Sequence, residues 1–309
     1  GQRRKRYVLR RESMKEKPFS KYHISINVVM MLWTIIIVLP FLLLFLSSIT
    51  DETALVANGY SFFPKKFSLA SYSYIIKSGG VILRAYGVSI VVTLVGTLLN
   101  VLLSALMAYP LSIKNLPGRK FMMFFVFFTM LFNGGIVPSY IMWTGTFHVK
   151  DTIFAQLLPN FLLSAWNVMM IRTYFTSSIP DGLYEAAEID GASQFTIFWK
   201  IVLPLGKPIL VTMGTFAGLA YWNDWTNGLY YIVKRTDLFN VQNLLNQMVQ
   251  NIQYIAQSSD ANVGSAAANI PATGIQMAIA FVAILPIMLI FPSFQKYYAK
   301  GIALGAVKG

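Results

Sequence analysis

The run "INVVMMLWTIIIVLPFLLLFLSS", residues 26–48, carries no charge and directly follows a tail crowded with lysine and arginine. A bilayer core about 30 Å thick takes roughly 20 helical residues, so this stretch is long enough to cross one. It is not an isolated case, because 56% of the chain is hydrophobic and only 12% charged. Polar surface on that scale does not cover a soluble fold of 309 residues. The sequence therefore predicts an all-α integral membrane protein.

Apolar length against charge predicts six crossings: Ile26 to Ser48, Tyr86 to Ile113, Phe121 to Met142, Ile153 to Tyr174, Ile209 to Val233 and Gln276 to Phe294. Pro40, Pro110, Pro138, Pro159 and Pro286 fall within these runs or at their ends, which neighbouring helices make tolerable. The expected organisation is a basic tail 1–25, a six-helix domain 26–295 with long outer segments 49–80 and 234–273, and a tail 296–309. The first run is too long for the apolar part of a cleavable signal.

Six crossings put both termini on one side. All lysines and arginines except Lys65, Lys66, Lys77, Arg84, Lys150, Lys234 and Arg235 fall on that same side. Positive residues accumulate in cytoplasmic segments, so both termini are expected in the cytoplasm. The formal charge of +13 then reads as attraction to anionic lipid, not to nucleic acid. With no cysteine and only His23 and His148, no metal cluster or nucleophile–base set is expected. No phosphate-binding G-x-x-x-x-G-K-[ST] loop occurs either.

Outside the membrane, Val241, Leu244, Leu245, Met248, Ile252 and Ile255 repeat at helical spacing and predict an amphipathic helix. Its apolar face has two readings: packing on the protein's own rim, or docking of an external partner.

One segment breaks the apolar pattern. Asp181, Glu185, Glu188 and Asp190 crowd the stretch 177–206, on the expected cytoplasmic side between the fourth and fifth crossings. Pro180 and Asp181 start a helix, Asp190-Gly191 ends it, and "ASQFTIFWKIVLP" begins another. The pattern E-A-A-x-x-D-G-A-x5-F-x2-I-x-L-P is met by Glu185, Ala186, Ala187, Asp190, Gly191, Ala192, Phe198, Ile201, Leu203 and Pro204. This resembles the EAA loop of binding-protein-dependent ABC importer permeases. "FNGGIVPSYIMW" (132–143), "YWNDW" (221–225) and "FPSFQKYYAKGIALGAVKG" (291–309) are similar to the carbohydrate-uptake branch, the relatives of the maltose transporter's inner permease.

The resemblance implies a type I importer architecture and a non-catalytic permease subunit with no cofactor of its own. It further implies a second homologous permease, two cytoplasmic ATPases that bind ATP and Mg, and an extracellular solute-binding protein delivering a carbohydrate, an oligosaccharide above all. Glu185, Ala186, Ala187, Asp190, Gly191 and Ala192 would dock in the ATPase, with Glu185 facing a basic residue there. Gly305, Ala306, Val307, Lys308 and Gly309 would form a second ATPase contact.

Polar groups within apolar runs are the candidates for the solute pathway: Trp222, Asn223, Asp224 and Trp225, with Asn133 and Asn167 as weaker ones. Trp222 and Trp225 equally suit interfacial anchors, and the two asparagines equally suit helix–helix contacts. Gly214 and Gly218, four apart, read as a close-packing site. A non-sugar solute, or an ATP-independent channel or carrier, remains an alternative.

Overall fold

A computed structural model describes residues 21–77, 79–257 and 272–306. The described residues are helical, without β-strands; one bridge joins Thr50 to Phe67. The expected tail 1–25 lies mostly outside the described residues, as do residues 258–271 of the second outer segment.

Helix α1, Lys21–Ser48, is apolar on every side and almost wholly exposed. A helix hydrophobic all round belongs in lipid or against a partner. It leans on the last helix where the rings of Phe45 and Phe281 meet tilted, 4.9 Å between centres. The short helices α2, Glu52–Asn58, and α3, Ala70–Lys77, follow at its end. The Glu52 carboxylate accepts the backbone N–H groups of Thr273 and Gly274, at 2.9 and 2.8 Å.

The central element is α4, Gly79–Ser112. Its buried positions include Ala85, Ser89, Gly96, Asn100, Ser104, Ala105 and Ala108, small enough to let other helices close in. At Gly96 the approach is closest: an added Cβ would stand 2.5–2.6 Å from ring atoms of Tyr221.

The third expected crossing is broken. Helix α5, Arg119–Leu131, and α6, Ile136–Thr146, meet at 110° across Phe132–Gly135. The fourth is divided into α7, Phe154–Leu157, and α8, Ala165–Ser178, with Pro159 in the gap. Helix α9, Asp181–Ile189, and α10, Gln194–Leu205, form the acidic segment. Next, α11, Lys207–Asn223, leaves α10 at 79°. The short α12, Thr226–Tyr231, completes the fifth expected run after a break at Asp224. Helix α13, Val241–Gln257, is the amphipathic one, and α14, Ala272–Ala306, is continuous through what sequence separated as span and tail. Among the described residues, three helices are long and apolar enough to cross a membrane, or up to five if each bent pair counts once.

Broken helices leave carbonyls unpaired, which an apolar setting does not tolerate. Side chains supply the donors here. Asn227 Nδ2 donates to the Pro159 carbonyl (3.1 Å), Asn100 Nδ2 to Phe161 (2.6 Å) and the Tyr221 hydroxyl to Leu157 (2.9 Å). Asn240 Nδ2 serves Asp224 O at 2.7 Å and Asn243 Nδ2 serves Trp225 O at 2.6 Å. Gln156, buried among them, donates to Asn243 Oδ1 at 3.0 Å.

Helix α13 packs onto the protein's own rim. Val241 and Leu244 are buried with Ile82, Ala85, Ile275, Ile279 and Ala283, and Leu245 and Met248 pack beside them. Burial at about 2 kcal/mol per large apolar side chain is enough to hold the helix there. The side chains of Ile252 and Ile255 lie outside the described residues.

Asp151, itself at φ 56°, fastens the turn after α12. Its Oδ1 accepts the backbone N–H groups of Val233 and Lys234, both at 2.8 Å, and of Arg235 at 3.2 Å. Those bonds, Lys234's first, hold the carboxyl below its ordinary pKa. A depressed folded pKa means the stabilisation is present above the unfolded value, about 3.9, and is lost as pH falls through the lower folded one. The Val233–Arg235 amides should therefore be protected from hydrogen exchange, relative to their intrinsic rates, at neutral pH and lose that protection in strong acid. Asp151→Ala should remove the protection at both. Unchanged exchange in the alanine variant would remove the staple's role.

Candidate functional site

The acidic segment is a bent helix pair with one face held and one face free. On the held face, Ala187 is buried in a core with Tyr109, Phe175, Ile197, Phe198 and Val202. Tyr184 stacks on Tyr109, ring centres 6.4 Å apart. The turn between the helices closes through Gly191 N–H to Glu188 O (3.0 Å) and Ala192 N–H to Ala187 O (2.9 Å). Gly191 sits at φ +75° with open space where a Cβ would go. Its requirement is therefore conformational, since L-residues strain in the left-handed region. Ser193 caps α10 by accepting the Thr196 N–H at 3.2 Å.

A polar relay ties the pair together. The Tyr109 hydroxyl donates to Gln194 Oε1 at 2.5 Å, and Gln194 Nε2 donates to Glu188 Oε1 at 2.8 Å. Glu188 thus belongs to the loop's internal wiring. Gln194 and Tyr109 escaped the sequence reading, because a glutamine beside an EAA pattern shows its role only once the helices are folded together.

The free face is different in kind. Leu183, Glu185 and Ala186 are exposed, and Ile189 is 85% exposed. Glu185 forms no ion pair among the described residues. Asp181 pairs with Lys114, and Asp190 caps α9. The result is a row of apolar side chains beside an unpaired carboxylate, on a helix whose opposite face is locked.

The pathway candidates separate into different environments. Trp222 is buried, its Nε1–H donating to Ala283 O at 3.2 Å. Asp224 is buried too, with Oδ1 accepting the N–H groups of Thr226 (3.0 Å) and Asn227 (3.3 Å). Its Oδ2 is buried without a hydrogen-bond partner among the described residues. Asn223 and Trp225 face outward. Asn167 donates to Asn100 Oδ1 at 2.7 Å and joins α8 to α4. Asn133 is exposed at the α5–α6 break, accepting the Gly135 N–H at 2.9 Å. Gly214 and Gly218 pack on Val101 and Thr97 of α4 and floor a groove of about 590 Å³ that Trp222 and Pro286 help to line. Of the C-terminal candidates, Gly305 and Ala306 end α14, while Val307, Lys308 and Gly309 lie outside the described residues.

Comparison with known proteins follows the same lines. The family model described as "Binding-protein-dependent transport system inner membrane component" matches residues 93–304. "Protein LplC" of Bacillus subtilis (strain 168) is 35% identical over 274 residues, 89% of this chain and 90% of that protein. "Polygalacturonan/rhamnogalacturonan transport system permease protein YtcP" of the same organism is 36% identical over 280 residues, 91% and 96% of the two chains. Among solved structures, a chain of a bacterial ABC transporter involved in the import of the acidic polysaccharide alginate superposes with a TM-score of 0.76. That match has 24% identity, covers 91% of this chain and 100% of that one, and speaks for the fold. This chain belongs to the family of inner-membrane components of binding-protein-dependent transport systems.

Proposed function

We propose that the chain is one of two permease subunits of an ATP-driven importer of carbohydrate, taking up an oligosaccharide that an extracellular solute-binding protein delivers. The observation that carries the coupling half of this reading is the free face of α9: Leu183, Ala186 and Ile189 beside Glu185, uncovered among the described residues. An ATPase cleft with an apolar wall and a basic residue complements it. ATP and Mg bind on the two ATPase partners, and the carbohydrate class is supported by the name of the relative YtcP.

The proposed topology has six crossings with both termini in the cytoplasm, as charge placement favours. The bent α5–α6 pair and the divided α7–α8 segment would then each count as one crossing. When the ATPases close, α9 moves as a unit because its inner face is locked, and α10 hands that motion to α11, reorienting the cavity between the permeases. The exposed Asn223 and Trp225 are the proposed pathway residues. Trp222 and Asp224 hold the helix end that presents them, and Gly305 to Gly309 are a proposed second ATPase contact.

The test is the co-purified complex with its binding protein, assayed for ATPase stimulation across neutral and uronic oligosaccharides, amino acids and phosphonates. Stimulation by oligosaccharides alone is expected. Stimulation only by a non-sugar solute overturns the cargo, and uptake without any ATPase partner overturns the mechanism.

A further inference from the structure

At the end of α4 lies a hollow of about 490 Å³ lined by Lys114, Gly118, Arg119, Lys120, Met123 and Arg172, among others. Two of its lining arginines share a carbonyl at the end of that helix. Arg119 Nε and Arg172 Nε both donate to Leu111 O, at 2.9 and 3.2 Å. Two guanidiniums are thus drawn together on one oxygen. Neither they nor Lys120 pair with a carboxylate among the described residues; of the four cations only Lys114 does, with Asp181. Helix α5 starts at the same place with no side-chain cap, from Gly118 at φ 74°, so its first amides add to the positive potential. Like charges gathered without a counter-ion repel, and a bound anion relieves them.

The surroundings say what kind of anion. From the hollow, α5 runs outward with Phe121, Phe124, Phe125 and Phe128 exposed, Phe121 at 72%. These positions, spaced by three and four, form one continuous apolar face. A free anion uses only the cationic rim. A lipid uses the rim for its phosphate and the aromatic face for its chains, and basic pockets between helices at the membrane surface suit such head groups.

We propose that this hollow binds the phosphate head group of an anionic phospholipid whose acyl chains lie along the exposed face of α5. The site needs α5 to start at the membrane surface, as the charge placement has it, and is independent of which solute is carried. Because Asp181 of α9 is salt-bridged to Lys114 at its edge, a bound lipid would brace the acidic helix pair from the membrane side.

The experiment is native mass spectrometry of the assembled complex, delipidated in neutral detergent and titrated with phosphatidylglycerol or phosphatidylcholine. The wild type is expected to retain phosphatidylglycerol preferentially. Lys120→Gln should weaken that retention about fivefold and Arg119→Gln/Arg172→Gln about twentyfold, at the typical cost of a juxtamembrane cation. Equal retention by wild type and variants, or equal binding of phosphatidylcholine, overturns the proposal. Displacement by inorganic phosphate would make the site one for a free anion, and loss of ATPase subunits with lipid retained would make it a protein contact; each also overturns it. If the double variant does not assemble, Lys120→Gln decides, since its side chain is exposed in the first turn of α5.

Discussion

Glu185→Lys is expected to leave the permease folded and to remove the ATPase from it. The folding half follows from exposure: Glu185 makes no ion pair among the described residues, and the core of α9 is built from Ala187 and Tyr184 on the other side. The assembly half follows from complementarity. A basic ATPase residue that meets a carboxylate would meet an ammonium, and disrupting such a desolvated pair costs on the order of 2–5 kcal/mol. That is a loss of about 30-fold to several thousand-fold in affinity. Co-purification of the ATPase and solute-stimulated hydrolysis should fall together, with Glu185→Gln in between. Glu188→Gln is the control, since Glu188 is engaged by Gln194 within the loop. Its effect should fall on loop stability and leave the partner's affinity largely intact. Wild-type assembly by Glu185→Lys would place the ATPase contact elsewhere.

The contrast between those two glutamates marks what sequence could and could not convey. The turn at Gly191 was legible because few residues other than glycine sit at positive φ, and the proline–aspartate start of α9 was legible for similar local reasons. The amphipathic face of α13 was legible as a period, and the structure packs its first half, Val241 to Met248, on the protein's own rim. The interrupted runs were not legible. Hydropathy over residues 121–142, 153–174 and 209–233 is blind to a kink, because a window average absorbs a single Asn133, Pro159 or Asp224. What repairs the breaks is a set of carboxamides, Gln156, Asn227, Asn240 and Asn243, with the Tyr221 hydroxyl. Their partners are carbonyls far off in sequence, so no local pattern points to them. Asn167 follows the same rule: a buried amide in an apolar run announces that it has a partner, and that partner, Asn100, sits on a neighbouring helix.

Gly206→Ala is expected to uncouple transport from ATP hydrolysis more than its single methyl suggests. Gly206 is the elbow between α10 and α11, which diverge by 79°. An added Cβ would stand 2.5 Å from Phe175 Cε1 and 2.9 Å from the Val202 carbonyl oxygen. Neither neighbour can yield cheaply. Phe175 is fully buried in the core that also holds Ala187, and Val202 O accepts the Gly206 N–H at 2.7 Å. The alternatives are to displace the ring or to open the elbow, and overpacking of this kind costs typically 1–3 kcal/mol. Opening the elbow changes the angle at which α10 drives α11, so the expected result is a lower thermal midpoint together with fewer solutes moved per ATP. The partner substitution separates the two causes. Gly206→Ala/Phe175→Leu frees the ring's space but leaves the Val202 contact, so it should recover part of the stability and little of the coupling. Gly191→Ala makes a useful comparison, because nothing crowds that Cβ and its cost, about 1–2 kcal/mol, is purely conformational. Wild-type stoichiometry and stability in Gly206→Ala would mean that the elbow does not transmit the motion of α9.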